Sequence, residues 1–142
     1  STWLRTMEQL DYLEEPDMFH DIFGHVPLLS NPVFSEFMQE FGKVGCAVID
    51  DKEKVTELQR LYWFTIEFGM INQQNPTIYG AGIISSFGES NRCIRPDIEK
   101  IPFKIEDVLQ KSFHTDEVQD EYICIDSFEE LFDSLDGIEA FL

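Results

Sequence analysis

The sequence predicts a mainly α-helical protein with a few short β-strands. Two long stretches repeat apolar residues at helical spacing, one after Ser30-Asn31-Pro32 and the other after Asp50-Asp51-Lys52. A third stretch, residues 121–125, alternates in the manner of a strand. The chain has 142 residues, of which 43% are hydrophobic, and we expect it to form a single domain over residues 1–142.

The first long helix is predicted to begin at Pro32. Asn31 offers a capping side chain, and proline is favoured in the first turn. Apolar residues recur at helical spacing as far as Phe41, and we expect Gly42 and Gly45 to end the helix. The aromatic stripe along this helix is expected to belong to the core.

The second long helix is predicted to open at residues 50–52. Its first half carries one apolar face, whereas residues 61–71 are apolar on almost every side. We therefore expect the second half to be buried, with Glu67 inside it.

Shorter elements are expected in the rest of the chain. Residues 76–88 combine β-branched and small residues with closely spaced glycines, which predicts short strands, tight turns and a backbone that passes close to a neighbour. Residues 96–102 indicate a polar connection and residues 105–113 a helix. The capping box at residues 127–130 marks the start of a final amphipathic helix.

Charge and cysteine content restrict the classes of function. A formal net charge of -18, from 28 acidic and 10 basic residues, argues against nucleic-acid binding and against anionic membrane surfaces. The sequence has neither a membrane-length apolar run nor a signal pattern, and its three widely spaced cysteines suit reduced thiols. We expect a soluble, cytoplasmic protein whose oligomeric state the sequence leaves open.

Two histidines and one glutamate, His20, His25 and Glu67, are the candidate metal ligands. Burying the Glu67 carboxylate among aromatic and aliphatic neighbours would cost several kcal/mol without a compensating cation or hydrogen bonds. No Lys or Arg lies between Arg60 and Arg92, so a metal ion is a candidate partner alongside a basic side chain. Two imidazoles and one carboxylate leave coordination positions open, which suits non-haem Fe(II) that activates oxygen.

The spacing of the two histidines requires a departure from a regular α-helix. Residues five apart on a straight α-helix point roughly 140° away from each other. We therefore expect His20 near a helix end or an irregular turn, with Gly24 easing the geometry and Pro27 restricting the backbone after His25. His-x4-His alone is a weak motif, and packed core histidines are the alternative interpretation.

The sequence leaves the roles of several other polar residues open. Arg5 is either a surface cation or an anchor that grips a carboxylate with its planar fork. Ser85 and Ser86 lack an activating base in a recognisable arrangement, so we expect turn or ligand hydrogen bonds from them. His114, in a polar loop, is expected to be solvated.

Three motifs, at residues 15–27, 62–69 and 79–89, resemble the pterin-dependent aromatic amino acid hydroxylases, the bacterial phenylalanine 4-hydroxylases above all. The resemblance covers nearly the whole chain and fades after about Ile101. It implies the fold of the aromatic amino acid hydroxylase catalytic domain.

The resemblance also implies roles for three groups of residues. The first group matches the iron ligands and comprises His20, His25 and Glu67. The second holds the amino-acid end of the substrate or lines the substrate pocket and comprises Arg5, Ser85, Pro16, Trp63 and Phe68. The third lies near the pterin and the iron and comprises Asp21 and Tyr62.

The reaction that the resemblance implies is the hydroxylation of L-phenylalanine to L-tyrosine by O2, with Fe(II) and tetrahydrobiopterin as cofactors. Hydroxylation of tyrosine or tryptophan by the same motifs is an alternative. From the residues themselves, a zinc hydrolase with the same three ligands and a non-catalytic metal-binding or interaction domain are further alternatives.

The family's catalytic domains extend well upstream of Arg5, and the upstream segment helps to sandwich the pterin. The resemblance therefore implies that residues 1–142 are the C-terminal portion of an N-terminally truncated catalytic domain. We expect this chain to bind Fe(II) while binding tetrahydrobiopterin weakly. We also expect an exposed apolar patch around Trp3 and the Trp63 helix.

Overall fold

The computed structural model describes residues 1–142 apart from the side chain of Glu139. Within these residues there are six α-helices: α1 (Pro32–Ala47), α2 (Lys52–Tyr62), α3 (Ala81–Ile84), α4 (Phe87–Cys93), α5 (Ile105–Gln110) and α6 (Phe128–Asp133). Two π-helices span His20–His25 and Trp63–Glu67, and short 3-10 helices span Met7–Gln9, Val26–Ser30 and Ile138–Ala140. The strands are β1 (Met70–Ile71), β2 (Thr77–Ile78), β3 (Glu99–Pro102) and β4 (Glu121–Ile125).

Helix α1 begins as predicted but extends further than predicted. The Asn31 side chain accepts a hydrogen bond from the Phe34 N–H at 3.1 Å, and Pro32 occupies the first turn. The helix continues through Gly42 and Gly45 to Ala47, so the prediction that these glycines end it was wrong. Each glycine costs about 1 kcal/mol relative to alanine inside a helix, and the buried aromatic face of α1 outweighs that cost.

Helix α2 follows the prediction for its start and for its buried second half. The Asp51 carboxylate accepts hydrogen bonds from the N–H groups of Glu53 and Lys54. After Tyr62 the chain keeps turning as the π-helix Trp63–Glu67, in which Phe64, Thr65 and Ile66 are buried. Glu67 therefore lies at the buried end of a long helical segment.

Residues 76–88 contain less strand and more helix than predicted. Only Thr77–Ile78 is a strand, whereas α3 and the start of α4 occupy the remainder. The Ser86 hydroxyl caps α4 by accepting a hydrogen bond from the Glu89 N–H at 3.2 Å. The glycines mark close packing, as expected: a Cβ at Gly80 would overlap the Glu67 carbonyl oxygen.

The sheet has the strand order β2-β1-β4-β3, with β1 and β2 antiparallel and the other two pairs parallel. Strand β4 confirms the predicted strand at residues 121–125. Strand β3 replaces the polar connection predicted for residues 96–102. That prediction failed because β3 lies at the sheet edge, where half-exposed residues do not alternate, and because its partner β4 is distant in sequence.

The ends of the last helices also differ slightly from the prediction. Helix α5 stops at Gln110 and not at residue 113. Helix α6 is capped by the Ser127 hydroxyl, which accepts from the Glu130 N–H at 3.1 Å. The Glu130 carboxylate accepts a hydrogen bond from the N–H of Asp126. In a capping box the donor would be the N-cap residue, Ser127.

One core joins α1, α2, the sheet and α6. Its fully buried members include Phe34, Phe37, Leu61, Ile66, Leu109, Ile125 and Leu131. None of the helices in the described part of the chain is long and apolar enough to cross a bilayer. The candidate ligands lie beside this core, on the two π-helices.

Candidate metal centre

The first π-helix places His20 and His25 on the same side of the chain. Its turns close between residues five apart, and the Val26 N–H donates to the Asp21 carbonyl. Residues five apart therefore face each other, which an α-helix would prevent. The prediction of an irregular turn at His20 is confirmed.

Glu67 is presented by the second π-helix. The Phe68 N–H donates to the Trp63 carbonyl, five residues earlier, at 2.9 Å. Helix α3 packs against both π-helices: a Cβ at Gly24 would lie 2.9 Å from the Cβ of Ala81, and Gly80 abuts Glu67. Gly24 therefore permits a close approach between elements, since only Gly137 among the described glycines has a positive φ.

The three ligand atoms converge. The two Nε2 atoms of His20 and His25 lie 2.9 Å apart. From the Glu67 carboxylate, Oε2 lies 3.4 Å from the first Nε2 and Oε1 lies 3.1 Å from the second. Each of the three residues contributes one ligand atom, and these three atoms all lie within 4.8 Å of one another.

This donor set fits a divalent metal ion. Two imidazole nitrogens and one carboxylate supply one side of a coordination sphere and leave the other side open. The His20 Nδ1 lies 2.7 Å from the Ser85 hydroxyl oxygen, and a hydrogen bond there orients the ring and leaves Nε2 for the metal. In the described part of the chain, no Lys or Arg forms an ion pair with Glu67.

The electrostatics of Glu67 keep its carboxylate ionised. Burial raises its pKa, but the hydrogen bonds from His20 and His25 outweigh burial and lower the pKa to about 2. Burial and the Glu67 charge raise the pKa of neighbouring Tyr62 above its usual value. Near neutral pH the site therefore offers a charged carboxylate beside a protonated phenol.

A cavity of about 180 Å³ opens onto two of the ligands, His20 and Glu67. It brings together most of the other residues predicted from the sequence, namely Arg5, Pro16, Tyr62, Trp63, Phe68 and Ser85. Ser86, for which turn or ligand hydrogen bonds were expected, also lines it, as do residues that the sequence did not single out, namely Tyr12, Leu13, Glu14, Glu15 and Gly82. The predicted site residues other than His25 and Asp21 therefore share one cavity.

Asp21 lies apart from this cavity. Its carboxylate accepts a hydrogen bond from the Ser1 amino group at 2.5 Å, and its side chain is 40% exposed.

The predicted apolar patch is displaced from the Trp63 helix. Besides residues near Trp3, a group of exposed apolar side chains lies on and next to the first π-helix and includes Phe19, Ile22, Phe23 and Val26.

Arg5 is anchored and is not a surface cation. Its Nε and Nη2 donate to the two carboxylate oxygens of Asp17 at 2.9 and 2.7 Å, and its Nη1 donates to the Ser85 carbonyl. Asp17 is fully buried and also accepts from the His20 N–H at 3.0 Å. Hydrogen bonds from Arg5 hold the Asp17 pKa well below its usual range.

Asp17 and Glu89 are buried carboxylates that the sequence analysis missed. A signal for Asp17 existed, because it precedes His20 by three residues, the spacing at which an N-cap side chain accepts a backbone hydrogen bond. Glu89 lies within the third motif, but nothing local indicates its distant partners, Gln119 and Tyr122.

The sequence matches a known family over almost its full length. Residues 1–140 match the family described as biopterin-dependent aromatic amino acid hydroxylase. The phenylalanine-4-hydroxylase of Chromobacterium violaceum is 46% identical over 134 residues, which cover 93% of this chain and 45% of that protein. The human phenylalanine-4-hydroxylase is 37% identical over 118 residues, covering 82% and 26%. The chain thus spans about half or less of the length of these curated relatives.

Solved structures show the same fold. Phenylalanine hydroxylase from C. violaceum, with bound iron(III) and 7,8-dihydrobiopterin, matches with a TM-score of 0.87 at 43% identity, over 98% of this chain and 50% of that chain. The enzyme from Legionella pneumophila matches with a TM-score of 0.88 at 36% identity, over 99% and 61%. The predicted fold and the resemblance are confirmed, and this chain belongs to the biopterin-dependent aromatic amino acid hydroxylase family.

Proposed function

We propose that the protein is an iron- and tetrahydrobiopterin-dependent monooxygenase that hydroxylates L-phenylalanine to L-tyrosine with O2. The observation that carries the proposal is the convergence of His20, His25 and Glu67 beside a cavity with an aromatic wall. The relatives named phenylalanine-4-hydroxylase, at 46% and 37% identity, support phenylalanine as the substrate.

His20, His25 and Glu67 would hold the iron on one side, and iron and pterin together supply the activation of O2 when bound. The Ser85 hydroxyl orients the His20 ring. Tyr62, whose pKa is raised by burial and by Glu67, stays protonated and contributes bulk and a hydroxyl beside the carboxylate. These residues would thereby hold one face of the metal and leave the other open to ligands.

Trp63, Phe68 and Pro16 would bind the aromatic ring of the substrate. The rings of Trp63 and Phe68 lie 4.5 Å apart between centroids, inclined by 38°. Gly82 keeps the space over Phe68 open, because a Cβ there would lie 2.7 Å from that ring. An apolar slot of this kind selects an aromatic side chain and excludes water from it.

Arg5 would bind the carboxylate of the substrate. Three of its five side-chain N–H groups donate hydrogen bonds to Asp17 and Ser85, which leaves two for a ligand. The pair with Asp17 fixes the guanidinium in advance, so that less side-chain entropy is lost on binding.

We also propose that residues 1–142 are the C-terminal portion of a catalytic domain. We further propose that the protein is cytoplasmic, because its three cysteines are unpaired.

The experiment is a product assay with phenylalanine, tyrosine and tryptophan after anaerobic Fe(II) loading, with and without tetrahydrobiopterin. It is run on these 142 residues and on a longer chain that adds the upstream region of the relatives. We expect Fe(II) binding in both, and pterin-dependent conversion of phenylalanine in the longer chain. Absence of Fe(II) binding would overturn the proposal. A zinc hydrolase would retain zinc and show no dependence on pterin.

A further inference from the structure

Gln119 lies outside the candidate metal centre but contacts the wall of its cavity. Its side chain is buried, in the segment between α5 and β4. Its Oε1 accepts a hydrogen bond from the indole Nε1 of Trp63 at 3.1 Å. Because Trp63 lines the cavity, the Gln119 amide supports the aromatic wall from behind.

The orientation of this amide is determined by its other partners. The Gln119 Nε2 donates to the carbonyl oxygens of His114 at 3.2 Å and Glu117 at 3.4 Å. Carbonyl oxygens only accept hydrogen bonds, so the amide nitrogen must face them and the amide oxygen must face the indole. The acceptor for Trp63 is thus fixed by the chain itself.

The backbone of Gln119 is held by α4. Its N–H donates to Glu89 Oε1 at 2.8 Å, and its carbonyl accepts from Arg92 Nε at 2.7 Å. The other Glu89 oxygen accepts from the Tyr122 hydroxyl. Glu89 is fully buried, so its carboxylate depends on these hydrogen bonds and constrains the residues that supply them.

The indole of Trp63 needs this polar contact to hold one orientation. Its ring packs against Phe68 on the cavity side, with centroids 4.5 Å apart, and stacks on Phe113 at 4.8 Å. Stacking of this kind limits tilt but only weakly resists sliding of the ring in its own plane by rotation about the χ1 bond. The hydrogen bond to Gln119 is directional and fixes that rotation.

We propose that Gln119, supported by Glu89, is a positioning residue that sets the orientation of Trp63 and with it the shape of the slot for an aromatic substrate. The inference rests on the proposed function, because the slot is argued to hold the ring of phenylalanine. Gln119 acts through Trp63 alone and has no part in binding the metal.

The test compares Gln119→Leu, which has a similar volume but no acceptor, with Gln110→Leu as a matched control. Gln110 is exposed on α5 and its amide donates to Glu57 at 2.8 Å, away from the cavity. In the Fe(II)-loaded protein we expect Gln119→Leu to weaken phenylalanine binding roughly threefold to tenfold. Fe(II) affinity should stay unchanged in both variants.

A double-mutant cycle separates positioning from general damage to the fold. In a Trp63→Phe background, which lacks the indole donor, Gln119→Leu should weaken phenylalanine binding no further. An equal loss in both backgrounds, or no loss in either, overturns the proposal.

A second readout needs neither substrate nor metal and is made on the unmutated protein. The chain has two tryptophans, and the proton on the Trp63 indole nitrogen should exchange with solvent at least about tenfold more slowly than that of the half-exposed Trp3. Equal exchange of the two indole protons by NMR would overturn the role of Gln119 even if Gln119→Leu does not fold. Failure of the unmutated protein to bind Fe(II) or phenylalanine would instead count against the proposed function.

Discussion

At Glu67, a largely buried carboxylate meets two imidazoles and forms no ion pair with a Lys or Arg in the described part of the chain. We expect Glu67→Gln to lower Fe(II) affinity far more than it lowers the free energy of unfolding. The amide keeps the volume but removes the only anionic ligand, and it relieves a buried charge in the metal-free protein. Calorimetric Fe(II) titration and thermal unfolding of the metal-free protein measure the two effects. Equal Fe(II) binding by Glu67→Gln and the exposed control Glu53→Gln would remove Glu67 from the site.

The Arg5–Asp17 pair offers a second residue-scale prediction. Arg5→Lys should lower the free energy of unfolding by about 1–3 kcal/mol, because a lysine cannot donate in parallel to both oxygens of the buried Asp17 carboxylate. It should also weaken phenylalanine binding roughly tenfold.

The control for Arg5 is Arg95→Lys. Arg95 donates to both oxygens of Asp97, at 3.0 and 2.6 Å, in the same forked geometry but on the surface. Water and salt screen an exposed pair so that it contributes little to stability, and this change should be nearly silent. If the two lysine substitutions cause equal losses of stability in denaturant unfolding, burial does not strengthen the Arg5 pair.

Tyr79 carries a buried hydroxyl that lacks a hydrogen-bond partner among the described residues. We expect Tyr79→Phe to leave the free energy of unfolding unchanged or to raise it by about 1 kcal/mol, since no hydrogen bond is lost. Tyr122→Phe is the matched change at a hydroxyl that donates to Glu89, and it should destabilise the protein. Parallel urea titrations compare the two variants. A loss of stability in Tyr79→Phe as large as that in Tyr122→Phe would show that the Tyr79 hydroxyl does form a stabilising hydrogen bond.

Residue types and spacing predicted which candidate ligands converge but not the groups that support them. His20, His25 and Glu67 stood out because a buried acid and an awkward histidine spacing are visible locally. Gln119 did not, because its partner Trp63 is 56 positions away in sequence and nothing near either residue indicates the contact. Long-range hydrogen bonds between side chains depend on the packing of whole elements, which a local pattern does not specify.

At the scale of elements, caps and periodicity predicted the starts of α1, α2 and α6 and the position of β4. They failed where tertiary packing overrides local preference. Gly42 and Gly45 lie inside α1 because the helix is stabilised by its buried aromatic face. Residues 81–84 form a helix despite Gly82, because α3 packs closely against both π-helices.

The glycines next to the ligands give a prediction at this scale. Gly80→Ala should lower the free energy of unfolding by more than about 1 kcal/mol, because its Cβ would overlap the Glu67 carbonyl and lie 2.6 Å from the Gly69 nitrogen. It should also weaken Fe(II) binding by displacing the Glu67 backbone.

Gly45→Ala is the opposite case. A Cβ at Gly45 meets nothing within 4 Å, so the change should raise the free energy of unfolding by about 0.5–1 kcal/mol through helix propensity. Thermal unfolding and Fe(II) titration of both variants test this contrast. Destabilisation by Gly45→Ala, or unchanged Fe(II) affinity in Gly80→Ala, would contradict this contrast between a crowded and an open glycine.

At the scale of the whole molecule, the exposed apolar side chains on and next to the first π-helix form a patch that is expected to promote self-association. Phe19 and Phe23 contact each other, with centroids 4.9 Å apart, and Phe23 is 57% exposed. Such patches promote association, and we expect concentration-dependent self-association of the 142-residue chain that Phe23→Lys reduces. Sedimentation velocity at several concentrations measures it. The control is Ile49→Lys, at a residue that is 70% exposed and lies just beyond the C-terminal end of α1, and an equal effect of both changes would rule out a specific patch.

Ser85 joins the two halves of the site through a single residue. Its hydroxyl contacts the ring of the ligand His20, while its carbonyl accepts from the guanidinium of Arg5. Under the proposed function, a shift of Arg5 towards the substrate carboxylate would pull on the same residue that orients the His20 imidazole. Communication of this kind is a coupling free energy, and thermodynamics makes it mutual: whatever factor the amino acid adds to the affinity for iron, iron adds to the affinity for the amino acid. Through Ser85, binding in one half of the site would change the affinity of the other half for its ligand.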